Sequence, residues 1–155
     1  MGADDATLIY LLRNVPTHIA QRPLIMNQSS TDYGLQIIIT HGTDSPSKAI
    51  LGLAMALSAV ASDTRVVVFF TMKGAQWVDP NVGEFRPEPN FNGTEEYIEA
   101  LIDLGVTMEG CTSCVEQYCP HLRDADGEYH MREGVIFNGL STATIRATSI
   151  PTLIF

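Results

Sequence analysis

Two short runs that are apolar along almost their whole length constrain the fold of this chain more than any other feature. The first, LQIIIT, covers residues 35–40, and the second, RVVVFFT, covers residues 65–71. Both runs are rich in β-branched and aromatic residues, so we predict that they are buried strands. Between them, Ser45 and Pro46 suit the N-cap and first position of a helix that continues to about residue 62. A strand, a helix and a second strand in this order predict a parallel βαβ unit.

The rest of the chain continues this alternation. We predict a helix over residues 94–104 that ends at Gly105, a short helix over residues 141–148, and a long loop over residues 72–93. Three further strands are predicted at residues 106–110, 134–139 and 149–155. Strands that are apolar throughout need cover on both faces of the sheet. We therefore predict a single three-layer α/β domain with a mostly parallel five-stranded sheet and helices on both faces.

The first part of the chain differs from the remainder. Residues 1–34 are predicted to be an N-terminal extension, and the α/β domain is predicted to cover residues 35–155. Asp4 or Asp5 could cap a short helix over residues 6–13. A polar connector follows this helix. The apolar side chains of the helix would suit packing on the domain or on a neighbouring subunit.

Charge and cysteine content exclude several classes of protein. The 155 residues include 9 Lys plus Arg and 18 Asp plus Glu, a formal net charge of −9. Binding to nucleic acid or to an anionic membrane needs a basic surface, so neither partner is expected. The longest apolar run, residues 49–60, is too short to cross a bilayer, and the first residues lack the basic start of a signal peptide. Three cysteines do not suit a secreted disulfide framework, so we expect a cytoplasmic protein.

Three of the predicted strands are followed by glycine-containing segments that carry chemically active side chains. These segments are His41-Gly42-Thr43, Met72-Lys73-Gly74 and Gly110-Cys111. In open parallel sheets, functional sites form beyond the carboxyl ends of the strands. All three cysteines lie in the stretch GVTMEGCTSCVEQYC, which covers residues 105–119. The cysteine cluster is therefore predicted to lie where this architecture usually places function.

The cluster permits more than one kind of chemistry. The residue types of a zinc site are available in Cys111, Cys114, Cys119 and His121, although zinc ribbons use two well-separated pairs. A C-x-x-C motif after a strand could instead be a redox dithiol like that of thioredoxin. In favour of this, Pro151 lies close to the position of thioredoxin's strand proline; against it, the two strands and two helices before the cysteines are too many.

A third interpretation assigns the chemistry to the single sulfur of Cys111. Ser113 and Glu116 form a capping-box pattern that predicts a short helix starting near Cys114. The free N–H groups at a helix start favour a thiolate, and lowering the thiol pKa by one unit raises the ionised fraction at neutral pH about tenfold. We expect this sulfur to be ionised and reachable by a visiting protein. Cys119 is predicted to be a buried structural residue.

Four segments, taken in order, resemble the DsrE/DsrF-like family, which includes TusD-type sulfur-relay subunits and small YchN-like proteins. They are IIITHGTDSPSKAILGLAMALSAV, VVVFFTMKGA, EEYIEALIDLGVTMEGCTSCVEQY and GLSTATIRATSIPTLIF. They match the family's glycine-bearing loop and proline-opened helix, its FFT-like second strand, its strand that ends at a cysteine, and its closing strand. The likeness covers about residues 35–155, apart from much of residues 77–92.

The resemblance implies a sulfur carrier or sulfurtransferase, which would accept sulfane sulfur as a persulfide on Cys111 and relay it to a partner protein thiol. Cys114 would then be either a resolving thiol or a second sulfur-binding position. The residues expected to bind the persulfide or an anionic donor are His41, Gly42, Lys73, Thr112 and Ser113.

The resemblance also implies partners. The expected assembly is a homo-oligomer, a trimer or hexamer, that could include related subunits and would meet sulfur-donor and sulfur-acceptor proteins. We expect no cofactor and no metal. Two other functions remain open from the residues themselves: a C-x-x-C thiol-disulfide oxidoreductase, and a non-catalytic oligomeric binding protein in which the cysteines are incidental.

Overall fold

A computed structural model describes residues 33–155, in which strands and helices alternate. The strands are β1 (Leu35–Ile39), β2 (Val66–Phe70), β3 (Thr107–Cys111), β4 (Val135–Asn138) and β5 (Thr152–Ile154). The α-helices are α1 (Pro46–Ala61), α2 (Thr94–Asp103), α3 (Thr112–Tyr118) and α4 (Leu140–Ala147). Two 3₁₀ helices cover Met72–Val78 and Pro120–Leu122.

The five strands form one sheet in the order β4-β3-β2-β1-β5, and every neighbouring pair is parallel. The carboxyl ends of all five strands therefore lie at the same edge. Strand β2 is central, and all five of its residues are buried, which is why its sequence shows no polar alternation. The prediction of a single α/β domain around a five-stranded parallel sheet is confirmed.

Helices α1 and α2 pack together on one face of the sheet. Gly52 permits the close approach of α1, since a Cβ there would lie 2.4 Å from Cδ1 of Ile39. Helix α1 begins at Pro46, as predicted, although Ser45 makes no side-chain capping hydrogen bond. Helix α2 ends just before Gly105, whose φ of 73° lies in the left-handed region that favours glycine.

Helix α4 covers the opposite face, so the domain has three layers. The Gln36 side chain donates from Nε2 to the carbonyl oxygen of Ala143 in α4, at 3.0 Å. Arg146 of α4 forms a two-pronged ion pair with Glu109 of β3, with both N–O distances 2.9 Å. Both side chains of this pair are 3% exposed. A buried polar network therefore joins α4 to the sheet.

The segment predicted to be a long loop over residues 72–93 begins instead with the 3₁₀ helix Met72–Val78. Trp77 stabilises this helical start of the segment. Its side chain is fully buried, and its ring meets the Phe85 ring edge-on, with centroids 5.5 Å apart. The Trp77 Nε1 also donates to the carbonyl oxygen of His41 at 2.7 Å. One buried aromatic residue thus anchors the start of this segment against the loop after β1.

Predictions about the N-terminal extension fall largely outside the described residues. The helix predicted over residues 6–13 lies outside the described residues. The domain boundary after residue 34 stays a prediction. Within residues 33–155, no helix combines the length and apolar character that crossing a membrane would require.

Candidate functional site

Cys111 is the last residue of β3, at the edge of the sheet where the carboxyl ends meet. On one side, its register partner is Asn138, the last residue of β4. On the other side, the register of β2 and β3 brings Thr71, just after β2, beside it. Helix α3 begins at the next residue. The thiol therefore lies where a strand end, a helix start and the segment after β2 meet.

Four side chains form a small polar cluster at this position. The Ser113 Oγ lies 3.5 Å from the Cys111 Sγ, and the thiol of Cys114 is a second hydrogen-bond partner of Cys111. The Cys114 Sγ lies 3.4 Å from the Oγ1 of Thr71. We call these four residues the thiol cluster. Neither cysteine in it is part of a disulfide.

Burial and hydrogen bonding act in opposite directions on the ionisation of Cys111. Burial raises the pKa of a thiol, because the thiolate loses its hydration. Hydrogen bonds from Ser113, from the thiol and backbone N–H of Cys114, and from Thr71 favour the thiolate, and the pKa of Cys111 is lowered overall. The thiol cluster therefore increases the share of the nucleophilic form of the sulfur.

Two details of the predicted cysteine site are wrong. Helix α3 starts at Thr112 with Cys111 as its N-cap residue, so Ser113 does not cap it, and no side chain makes an N-capping hydrogen bond. Cys111 is also only 1% exposed, so its sulfur is not open at the sheet edge. The reason is that α3 follows the strand without a loop and turns Cys114 and Val115 inward.

Cys119 lies in a separate environment. Its thiol donates to the carbonyl oxygen of Ala75 at 3.5 Å. Burial, together with the negative charge of Asp79, raises the pKa of Cys119 to about 11. This thiol is neutral at physiological pH and buried, as expected for the structural residue that the sequence predicted.

The loops after β1 and β2 bring predicted binding residues to the same edge of the sheet. Gly42 approaches the 3₁₀ helix so closely that a Cβ there would lie 2.5 Å from the carbonyl oxygen of Lys73. Lys73 forms an exposed ion pair with Asp44, with Nζ and Oδ2 2.7 Å apart. The Nε2 of His41 lies 3.1 Å from the Nζ of Lys48. Lys73 thus pairs with Asp44 before α1, and His41 lies against Lys48 in α1, rather than against the cysteines.

The proposed zinc ligands are not gathered at one point. His121 bonds through Nε2 to the Oδ2 of Asp79 at 2.6 Å, whereas the Cys119 thiol faces Ala75. In the part of the chain that the structure describes, no three His, Cys, Asp or Glu side chains are placed to hold a metal ion together. The zinc interpretation therefore has no geometric support.

The order of the elements and the cysteine at the end of β3 can be compared with known proteins. The model of the DsrE/DsrF-like family matches residues 34–143, a stretch that includes the thiol cluster. The chain belongs to the DsrE/DsrF-like family. The resemblance drawn from the four sequence segments is thereby confirmed.

A solved structure supports the fold of this DsrE-like chain. The crystal structure of the YchN protein from E. coli superimposes with a TM-score of 0.60 and 16% sequence identity. The superposition covers 79% of this chain and 99% of that protein. At this level of identity the likeness shows a shared fold and carries no function with it. A comparison with curated proteins finds no match.

Thr71 is the member of the thiol cluster that sequence analysis of this DsrE-like domain missed. Its position directly after the β2 run was a usable signal, because it is a hydroxyl residue at the same sheet edge as Cys111. Thr112, by contrast, was predicted to hold the persulfide, but its Oγ1 donates to the carbonyl oxygen of Asn138 at 3.3 Å. Its hydroxyl is thus directed at β4 rather than at the sulfur.

Proposed function

We propose that this DsrE-like protein is a sulfur carrier, in which Cys111 accepts a sulfane sulfur as a persulfide and passes it to an acceptor thiol. The observation that carries the proposal is the thiol cluster, in which Ser113, Cys114 and Thr71 supply hydrogen bonds around that sulfur. The thiolate is the nucleophilic form of cysteine. Membership of a family related to sulfur relay supports the same activity.

The proposed reaction has two displacement steps. The Cys111 thiolate attacks the outer sulfur of a donor R–S–S⁻, the donor's S–S bond breaks, and R–S⁻ leaves. An acceptor thiolate then attacks the outer sulfur of the Cys111 persulfide, and Cys111 leaves as a thiolate. The sulfane sulfur is transferred from donor to acceptor without net oxidation or reduction. The same hydrogen bonds that lower the pKa of Cys111 make it a better leaving group in the second step.

Burial favours small donors for the first step. Because Cys111 is 1% exposed, any reagent reaches it only when the segments around it open locally. A polysulfide or a low-molecular-weight hydropersulfide needs a smaller opening than a folded donor protein does. We propose that His41, Gly42 and Lys73, at the same edge of the sheet, guide such anions, although Asp44 offsets part of the Lys73 charge.

We propose that the protein works as a homo-oligomer, a trimer or hexamer, that meets donor and acceptor proteins. Exposed apolar side chains on β4, α4 and β5 support self-association, since exposed apolar surface often marks an interface. Ile136, Leu140, Ile145 and Ile154 are each more than half exposed. The three free cysteines among residues 33–155 suit the reducing cytoplasm in which we expect this chemistry.

The test is sulfur uptake measured by intact mass. We use the Cys114→Ser chain, because it leaves one thiol in the cluster. After polysulfide treatment and desalting, this variant should gain about 32 Da per bound sulfur atom. The matched Cys111→Ser/Cys114→Ser chain, which keeps Cys119, should gain nothing because that thiol has a pKa of about 11 and remains neutral.

Two results would point elsewhere. Equal uptake by both variants would place the sulfur on Cys119 and remove Cys111 from the proposal. No uptake by either variant, with every sulfane donor tried, would favour a non-catalytic binding protein. The contact between Cys111 and Cys114 supports an oxidoreductase as the second candidate, and rapid insulin reduction by the wild-type chain with no sulfur uptake would favour it.

A further inference from the structure

We propose that Cys114 competes with external acceptors for the sulfur on Cys111: it attacks the Cys111 persulfide, releases hydrogen sulfide, and leaves a Cys111–Cys114 disulfide. This inference rests on the proposed function, and adds to it a sulfide-releasing activity of the same site. It gives a small sulfane donor a second fate that requires no partner protein.

The contacts of the two thiols carry the inference. The register of β2 and β3 places Thr71 beside Cys111, and Cys114, the attacking residue, is a hydrogen-bond partner of the Cys111 thiol. The other partner of Cys114 is the Thr71 hydroxyl at 3.4 Å. Thr71 thus lies beside both thiols, and displacement takes place from the thiolate form of the attacking cysteine.

Burial sets the competition between internal and external thiols. Cys111 and Cys114 are 1% and 6% exposed. An external protein thiol reaches the persulfide only when the site opens, whereas Cys114 is enclosed with it. Cys119, the remaining cysteine, faces Ala75 and does not take part. The internal displacement is therefore available in the closed molecule, and relay is not.

The spacing of Cys111 and Cys114 in the chain suits a disulfide between them. Cys111 ends β3 and Cys114 lies three residues later in the first turn of α3. A disulfide needs Cα atoms within about 4.4–6.8 Å of each other, and residues three apart in a helical turn meet that requirement. Closing the disulfide therefore requires rotation of side chains rather than movement of an element.

The step balances. The Cys114 thiolate attacks the Cys111 Sγ, a new S–S bond forms between the two cysteines, and the bond to the outer sulfur breaks. The outer sulfur leaves as HS⁻ and takes up the electron pair of that bond. The sulfane sulfur is thereby reduced to sulfide, and the two cysteines are oxidised to a disulfide. A small dithiol reductant then restores both thiols by exchange.

The experiment follows one turnover without oxygen. The reduced wild-type chain is treated with polysulfide, quenched with N-ethylmaleimide, and analysed by intact mass and peptide mapping, while sulfide is trapped with monobromobimane. We expect the wild type to lose two hydrogens, about 2 Da, to a mapped Cys111–Cys114 disulfide, so that neither of these cysteines takes up maleimide. Sulfide should exceed that of the Cys114→Ser chain, which takes up sulfur but cannot displace it internally, by about one equivalent, and Cys119→Ser should behave as wild type.

The outcomes separate this inference from the proposed function. If Cys114→Ser keeps the added sulfur while the wild type loses it as sulfide, the inference stands. If the wild type keeps the added sulfur and its Cys114 remains alkylated by maleimide, the inference is overturned and the carrier function is not. If Cys114→Ser takes up no sulfur, the carrier function fails, and the inference fails with it. The wild-type measurement depends on no variant's folding.

Discussion

Among single residues, Ser113 offers the cleanest test of how the thiol cluster ionises Cys111. Its hydroxyl lies 3.5 Å from the sulfur and lowers the pKa of Cys111. We expect Ser113→Ala to raise that pKa. Below its pKa, a thiol reacts tenfold more slowly for each unit of pH, so the variant should alkylate about threefold to tenfold more slowly at neutral pH. The measurement is the rate of iodoacetamide labelling of the Cys111 peptide against pH.

The direction of the curve distinguishes ionisation from access. A lowered pKa moves the wild-type curve of rate against pH toward acid, and Ser113→Ala should move it back toward alkali without changing the plateau. Ser58→Ala, an exposed position on α1, is the control and should leave the curve unchanged. A changed plateau with an unchanged midpoint would mean that Ser113 governs opening of the site rather than the pKa.

The position of Cys111 at a strand end could be predicted from sequence, because the short strand predicted over residues 106–110 leads directly to it. Its burial could not. The contact between Thr71 and Cys114 joins residues 43 positions apart, and their meeting depends on how α3 folds back over the sheet edge. The capping-box pattern at Ser113 was misleading, because the helix already starts at Thr112.

At the scale of elements, Arg132 connects the end of the 3₁₀ helix Met72–Val78 to α2 through hydrogen bonds and an ion pair. Its side chain is 8% exposed and pairs with Glu95 of α2. The guanidinium also donates to the carbonyl oxygens of Trp77 and Asp79, at 3.4 and 3.1 Å. Its backbone N–H donates to Val78 at 2.7 Å. One side chain thus joins three segments that are far apart in sequence.

We expect Arg132→Met to lower the free energy of unfolding by about 2–4 kcal/mol, because it leaves buried carbonyl groups and a half-buried carboxylate without their partner. Urea unfolding, with circular dichroism as the probe, measures this loss of free energy. The matched control is Arg86→Met, which removes an arginine whose ion pair with Glu96 is far more exposed. That pair should contribute at most about 1 kcal/mol. Equal losses in both variants would contradict the role assigned to Arg132.

Strands and helices were the predictable part of these elements, since apolar runs, Pro46 and Gly105 mark their ends locally. The 3₁₀ helix Met72–Val78 and its connection to α2 through Arg132 were not predictable. Arg132 and Glu95 are 37 positions apart, and no local pattern records such a pairing. The segment around Arg132 is polar and reads as a plain surface loop, so its buried guanidinium could be found only from the folded structure.

For the whole molecule, the parallel sheet followed from the apolar strands, but the interior of its α4 face did not. Apolar strands predict an apolar interior on both faces. The α4 face instead buries Gln36, Glu109 and Arg146, with Arg146 donating to both of the others. Glu109 also accepts from the Nδ2 of Asn138 at 2.9 Å. This network links β1, β3 and β4 to α4, and Glu109 precedes Cys111 by two residues.

The buried Arg146–Glu109 pair in this network also affects the stability of the whole domain. Arg146→Met leaves the Glu109 carboxylate, 3% exposed, without its cation, and we expect a loss of about 3–5 kcal/mol in the free energy of unfolding. Arg146→Met/Glu109→Leu removes the stranded charge as well, so the double variant should be more stable than the single one. Urea unfolding of both proteins measures this difference. A double variant no more stable than Arg146→Met would mean that the network matters for packing shape rather than for pairing a buried charge.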